Sequence, residues 1–284
     1  MKSTFLSRLQ TSARYALIGA LVLVIGVPLY QFLVLTPSGY GNALMSVGQS
    51  LNWIHAHIPL FLGYRALLIV GFSLIVGLPF ALFRIIVAQE VLGQDDVSDD
   101  DEDLAEEGED TKDEEEEDEA QTDSEQSEEG ADAVANAQED AMPDFAWRGR
   151  GFAVLAAWLG VGGLVLFPLA TLASTLYLSL SVPSAASLTG LFAVLTFTVG
   201  GGLLALSCLF FGAVITRRGR RLWPDVWLTF GYVALAITLL LSGNAVDVAL
   251  APDAGQSVLS TPAILLFALW TLWFGVMVVR LKPE

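Results

Sequence analysis

Asp, Glu, Lys, Arg and His are missing from six long apolar runs of this 284-residue chain, and cysteine and histidine are nearly missing altogether. Each shortage excludes something. The single cysteine, Cys208, rules out an intrachain disulfide and gives no sign of redox compartment. Lying in an apolar run, it reads as an inert packing thiol. The two histidines, His55 and His57, stand alone in Trp53-Ile-His-Ala-His-Ile58. At i and i+2 on a helix their side chains point about 200° apart, so they do not share a metal easily. No cysteine or carboxylate lies nearby to complete a set, and no metal or other cofactor is expected.

The absence of charge from the six runs excludes more. Proton relays, voltage sensors and many ion-coupled sites need ionisable groups at depth, because charge there is costly and persists only for function. No nucleophile, base and oxyanion grouping can be assembled either, so no catalytic residue is assigned.

What is present is length and apolarity. Hydrophobic residues make up 54% of the chain, concentrated in runs that match a hydrocarbon core of roughly 30 Å at about 1.5 Å per helical residue. Lipid gives bare backbone groups no water to bond, so each run is expected to be a spanning helix. The spans are placed at Tyr15–Leu35, Ala66–Phe83, Phe152–Leu172, Leu191–Ile215, Val226–Leu241 and Pro262–Val279. Pro28 is expected to kink the first. A cleaved signal peptide is its rival reading, disfavoured by the length of the run and by the lack of a small-x-small site after it. Arg65 and Arg84 bracket the second span, each able to snorkel outward. Asp247 and Asp253 are assigned to a short loop between the last two.

Between spans 1 and 2, Leu44, Val47, Leu51, Ile54 and Ile58 recur at helical spacing, with Asn42, Ser46, Gln49 and Asn52 off that stripe. The pattern predicts a short amphipathic helix on the outer membrane surface, ending before Pro59.

Charge is segregated. Of the 31 carboxylates, 27 fall in Glu90–Asp144 against one base, Lys112, a formal charge of −26. This stretch has no aromatic residue and few aliphatics, so self-repulsion predicts disorder. Asp99–Asp103 lacks the glycine and spacing of a calcium loop. Such carboxylate density is a halophile-like feature, keeping surfaces hydrated in salt. The chain divides into residues 1–89 (spans 1 and 2 with the outer helix), 90–147 (acidic loop) and 148–284 (spans 3 to 6).

Basic residues set the orientation. With six spans and the N-terminus inside, 13 of the 14 lysines and arginines fall on one side, including the cluster Arg217, Arg218, Arg220 and Arg221. Only Arg65 lies outside. The expectation is a multi-pass plasma-membrane protein with cytoplasmic termini and a cytoplasmic acidic loop. Nucleic acid is excluded as a partner beside that loop. The arginine cluster has anionic lipid, or the chain's own acidic loop, as a secondary contact.

Small residues at Ala156-x-x-x-Gly160, Thr196-x-x-x-Gly200 and Gly201-x-x-x-Ala205 suit close helix approach. The clusters Gly160–Gly163 and Gly200–Gly202 also allow unwound backbone that contacts a substrate. Six spans with both ends inside, Leu78-Pro-Phe-Ala-Leu-Phe83, Phe167-Pro-Leu-Ala170 and Pro252-Asp253 before Pro262 resemble TatC, the receptor subunit of the twin-arginine translocase. The resemblance covers short pieces of spans 2, 3 and 6 and implies a role in protein translocation. The family's N-terminal acidic motif is absent from Met1–Arg14, and its span-4 glutamate would fall near Gly200.

The expected class is thus an all-α, six-span membrane protein with a disordered acidic insert. Two functions are expected in order: a non-catalytic scaffold or accessory component with the bilayer and a protein as partners, then a transporter or translocase subunit. The second requires a polar midplane cavity lined by residues such as Gln31, Ser73, Thr196, Thr198 and Ser207.

Overall fold

Backbone groups that cannot reach water must bond within their own segment, and helices are the result throughout. The computed structural model describes residues 3–40, 47–89, 128–180, 188–218, 223–252 and 258–280, and all regular structure among them is helical. Six helices are long and apolar enough to cross a membrane: α1 (Ser7–Leu35), α3 (Ile58–Gln89), α4 (Gly151–Leu180 within the helix Glu128–Leu180), α5 (Thr189–Arg217), α6 (Asp225–Leu250) and α7 (Ser260–Val279). The short helix α2 (Val47–Ala56) lies between the first two.

The expected six spans are therefore present, most of them longer than the uncharged runs. Helix α3 begins at Ile58 rather than at Ala66, and α6 continues to Leu250 rather than stopping at Leu241. Asp247, assigned from the sequence to a loop, is an exposed helical residue. Asp253 and most of the acidic stretch, residues 90–127, lie outside the described residues. Residues 128–147 were read as the end of a disordered loop, whereas the backbone is helical from Glu128. Alanines at 131, 133, 135, 137 and 141 explain the difference, since alanine is the strongest helix former.

Proline bends the first span as expected. Pro28 has no N–H to give and its ring crowds the preceding turn. The helix responds with wide turns at Val22–Gly26 and Gln31–Leu35, and Val27 N–H bonds the Val22 carbonyl five residues back. In α3 the ladder loosens at Val76–Gly77, just before Pro79.

Each spanning helix packs on its neighbour in sequence, and α7 returns to pack on α1, which closes a ring. Alternation of direction gathers Arg8, Arg14, Arg84, Arg217 and Arg280, all exposed, at one end. That end is called the basic face, and the other, where α2 docks, the distal face.

Glycine sets the ring's close contacts. A Cβ on Gly19 of α1 would lie 2.7 Å from the Gly71 carbonyl oxygen of α3, and one on Gly163 of α4 would lie 2.8 Å from that of Gly200 in α5. Gly212 of α5 meets the Gly231 carbonyl of α6 in the same way at 2.9 Å. In Gly275 of α7 a Cβ would lie 2.8 Å from Leu17 Cβ of α1. Without a hydrophobic driving force between helices in lipid, such close approach and its dispersion gain hold the bundle.

Candidate functional site

Phe72, Phe167, Phe267, Trp270, Leu204 and Leu241 project from five helices into the middle of the ring and are all buried. Phe72 and Phe167 stack with ring centroids 4.1 Å apart. Two gaps remain there, each about 10 Å³, roughly one water molecule. One lies beside Phe197 and Asn244, the other beside Pro79 and Ser207.

The five residues named for a polar cavity do not come together. Gln31 and Ser73 are exposed, turned away from the centre. Thr196 is buried and donates to the Phe192 carbonyl of its own helix at 2.8 Å. Thr198 donates across to the Ala245 carbonyl of α6 at 3.0 Å, and Ser207 to the Ala156 carbonyl of α4 at 2.7 Å. Thr198 and Ser207 thus act as ties between helices, worth on average about 0.6 kcal/mol each in membrane proteins. Thr238 to the Ala205 carbonyl at 3.2 Å and Trp270 Nε1 to the Phe230 carbonyl at 3.1 Å do the same. Ser260 Oγ donates to Asn244 Oδ1 at 2.6 Å and ties α7 to α6 near the distal face.

The glycine clusters divide in two. Gly160, Gly163 and Gly200 sit at close contacts, whereas a Cβ on Gly201 or Gly202 would meet nothing within 4 Å. No unwound backbone occurs at Gly160–Gly163, and Val194–Gly200 is a wide helical turn that keeps its hydrogen bonding.

A cluster of polar and aromatic groups lies at the distal face. Helix α2 presents Leu51, Trp53 and Ile54 to Leu35, Phe61 and Leu178, the ends of α1, α3 and α4. Leu51, Ile54 and Ile58 of the predicted stripe are described, the first two buried; Leu44 lies outside the described residues. The helix ends as expected before Pro59, with His57 at φ −131°, ψ 40° as the joint. Trp53 Nε1 donates to the Ser38 carbonyl at 2.7 Å, and Tyr40 lies against Trp53 at 4.5 Å. Gly39, at φ 86°, makes the turn that brings this strand of chain back, a conformation glycine adopts without steric cost.

Arg65 sits at the edge of this cluster, two turns into α3. Its guanidinium carbon lies 5.1 Å from the centroid of the Phe61 ring. The snorkelling expected of it is incomplete: Nε is buried and meets no acceptor among the described residues, and no ion pair involves it there. A buried donor without a partner costs about 1–3 kcal/mol, and more when charged. The Tyr64 hydroxyl lies within electrostatic range of both Arg65 and Tyr40. The sequence reading missed this grouping because its members come from three separate segments. The available signal was the crowding of Tyr30, Tyr40, Trp53 and Tyr64 at one end, an aromatic belt.

The remaining candidates carry no chemistry together. His57 stacks on Trp53 at 4.7 Å and its Nδ1 lies 3.1 Å from the Trp53 carbonyl, to which the Nδ1–H tautomer donates. His55 is half-buried on the preceding turn. Among the described residues no three metal-ligating side chains gather. Cys208 is buried in the apolar core. Of the arginine cluster, Arg217 is exposed, the Arg218 side chain is not described, and Arg220 and Arg221 lie outside the described residues.

No family model, no curated protein and no solved structure matches the chain. The likeness to the twin-arginine receptor therefore stays with its short apolar pieces. In the fold Leu78 and Leu82 fill the core, Pro79 meets Gly160, and Gly200 serves the contact of α4 with α5. What the chain is, as far as sequence and fold carry it, is an all-α, multi-pass membrane protein with a filled six-helix ring.

Proposed function

We propose that this protein is a non-catalytic scaffold or accessory component of a plasma-membrane assembly, with both termini and the 90–147 stretch in the cytoplasm. One observation carries the reading. The polar groups inside the ring bond backbone within their own helix or across to a neighbour, around an apolar centre, while 27 of the chain's 31 carboxylates lie in one tract of its sequence. A rigid anchor joined to a polyanionic arm suits the capture of basic partners, because a dense like-charged segment attracts opposite charge over roughly a Debye length, about 8 Å at physiological salt.

The outer helix contributes less than its stripe suggested. Its buried residues Leu51, Trp53 and Ile54 already pack on this chain's own helices. The acidic arm is therefore the proposed contact. Transport or translocation of a solute or protein was the rival expectation, and it called for a polar midplane path; the apolar centre favours the scaffold instead.

The test is crosslinking in cells followed by affinity capture and mass spectrometry, comparing the full chain with one lacking residues 95–127. The expected result is a partner set captured by the full chain and lost on deletion, with release of that set by raised salt. Retention of every partner by the shortened chain would overturn the reading.

A further inference from the structure

We propose that Asn244 holds one water molecule in the central cavity and through it ties α6 to α5. Asn244 is 2% exposed. Its Oδ1 is taken by the Ser260 hydroxyl at 2.6 Å, whereas its Nδ2 meets no acceptor among the described residues. Nor is Nδ2 sealed off by protein, for Asn244 lines the cavity of about 10 Å³ beside Phe197. Every other side chain around that cavity is apolar, Phe72, Phe167 and Phe267 among them. A buried amide N–H left without an acceptor is costly, and lipid supplies none.

Size and polarity choose the occupant. The cavity admits about one water. An organic molecule with a carbonyl or ether oxygen is too large, a cation is repelled by an N–H donor, and an apolar atom leaves the donor unpaired. The opposite wall offers the water a second partner. Gly201 of α5 is buried, yet a Cβ there would meet nothing within 4 Å, so the helix backbone is bare to the cavity. The Gly201 N–H is already used on the Thr196 and Thr198 carbonyls, at the end of the wide turn Val194–Gly200. What α5 presents is therefore carbonyl oxygen, which keeps a second lone pair after its helical bond. The water accepts from Asn244 Nδ2 and donates to the α5 backbone. Depth isolates it from bulk solvent. Asn244 lies six residues before the end of α6 at Leu250, roughly 9 Å at helical rise.

The experiment uses the full isotope-labelled chain in lipid bilayers, read by solid-state NMR with magnetisation transferred from water to asparagine side chains. The exposed Asn52 serves as the reference. The expected result is a water contact at Asn244 Nδ2 whose protons exchange with deuterium at least about tenfold more slowly than those of Asn52. Gly201→Ala puts a methyl group into the cavity and should abolish that contact while the rest of the spectrum keeps its positions. Absence of a water contact at Asn244 overturns the proposal, and so does a contact that survives Gly201→Ala unchanged. Should Gly201→Ala fail to fold, the wild type decides alone. Its contact must come with slow exchange, and exchange as fast as that of Asn52 means open access from bulk solvent and overturns the assignment.

Discussion

The Ser207 hydroxyl donates to the Ala156 carbonyl at 2.7 Å, and it can do so only because residue 160, one turn further along α4, has no side chain. A Cβ on Gly160 would lie 2.6 Å from Ser207 Oγ and 2.8 Å from Pro79 Cγ. Ser207→Ala removes the tie alone and is expected to cost about 0.6–1.7 kcal/mol. Gly160→Ala removes the tie and also pushes α3 away, so it should cost more, about 1–3 kcal/mol. Reversible unfolding in mixed micelles measures both. Because the two share one contact, the double variant should cost less than the sum of the singles.

Two glycines of α5 give opposite expectations. Gly212→Ala places a methyl 2.9 Å from the Gly231 carbonyl oxygen, which is backbone and yields little. It should destabilise by about 1–3 kcal/mol. Gly202→Ala meets open space and removes backbone freedom from the unfolded chain. It should be neutral, or stabilise by up to about 1 kcal/mol. Equal melting temperatures for the two variants would show that α5 and α6 do not cross at Gly212.

Helix α2 should come away before anything else does. Trp53→Phe keeps an aromatic ring against Tyr40 but deletes the donor to the Ser38 carbonyl. The expected loss is about 1 kcal/mol, confined to the distal face. Hydrogen exchange should quicken across residues 47–56 and stay unchanged in α5 and α6. Uniform acceleration through the spans would mean that α2 is part of the global core.

Sidedness is checked with a thiol reagent that cannot cross lipid. Cys208 is buried and should stay silent in the native protein. A cysteine in place of the exposed Thr36 should label in intact cells, and one in place of Ser124 only after lysis. The reverse pattern would invert the topology.

Much of this architecture was legible one-dimensionally. Charge cannot be left in lipid, so Arg65 and Arg84 marked the second span, and Pro59 marked the end of α2. Helix ends were read too short, as at Leu241, because polar residues such as Asn244 looked like loop. In the fold Asn244 is buried on α6 and accepts from Ser260. A hydroxyl's role was equally hidden. Ser73 and Ser207 are alike in sequence, yet one is exposed and the other ties two helices.

The amino-acid order by itself determined how many rods cross the bilayer, and it drew the acidic arm apart from them, since both follow from the local cost of moving charge and bare peptide groups into oil. Which residues meet was settled in three dimensions. That α7 returns to α1, that the centre is apolar, and that Tyr40 stands against Trp53 all depend on how helix faces fit. Fit depends on side chains far apart in the chain, which no local pattern records.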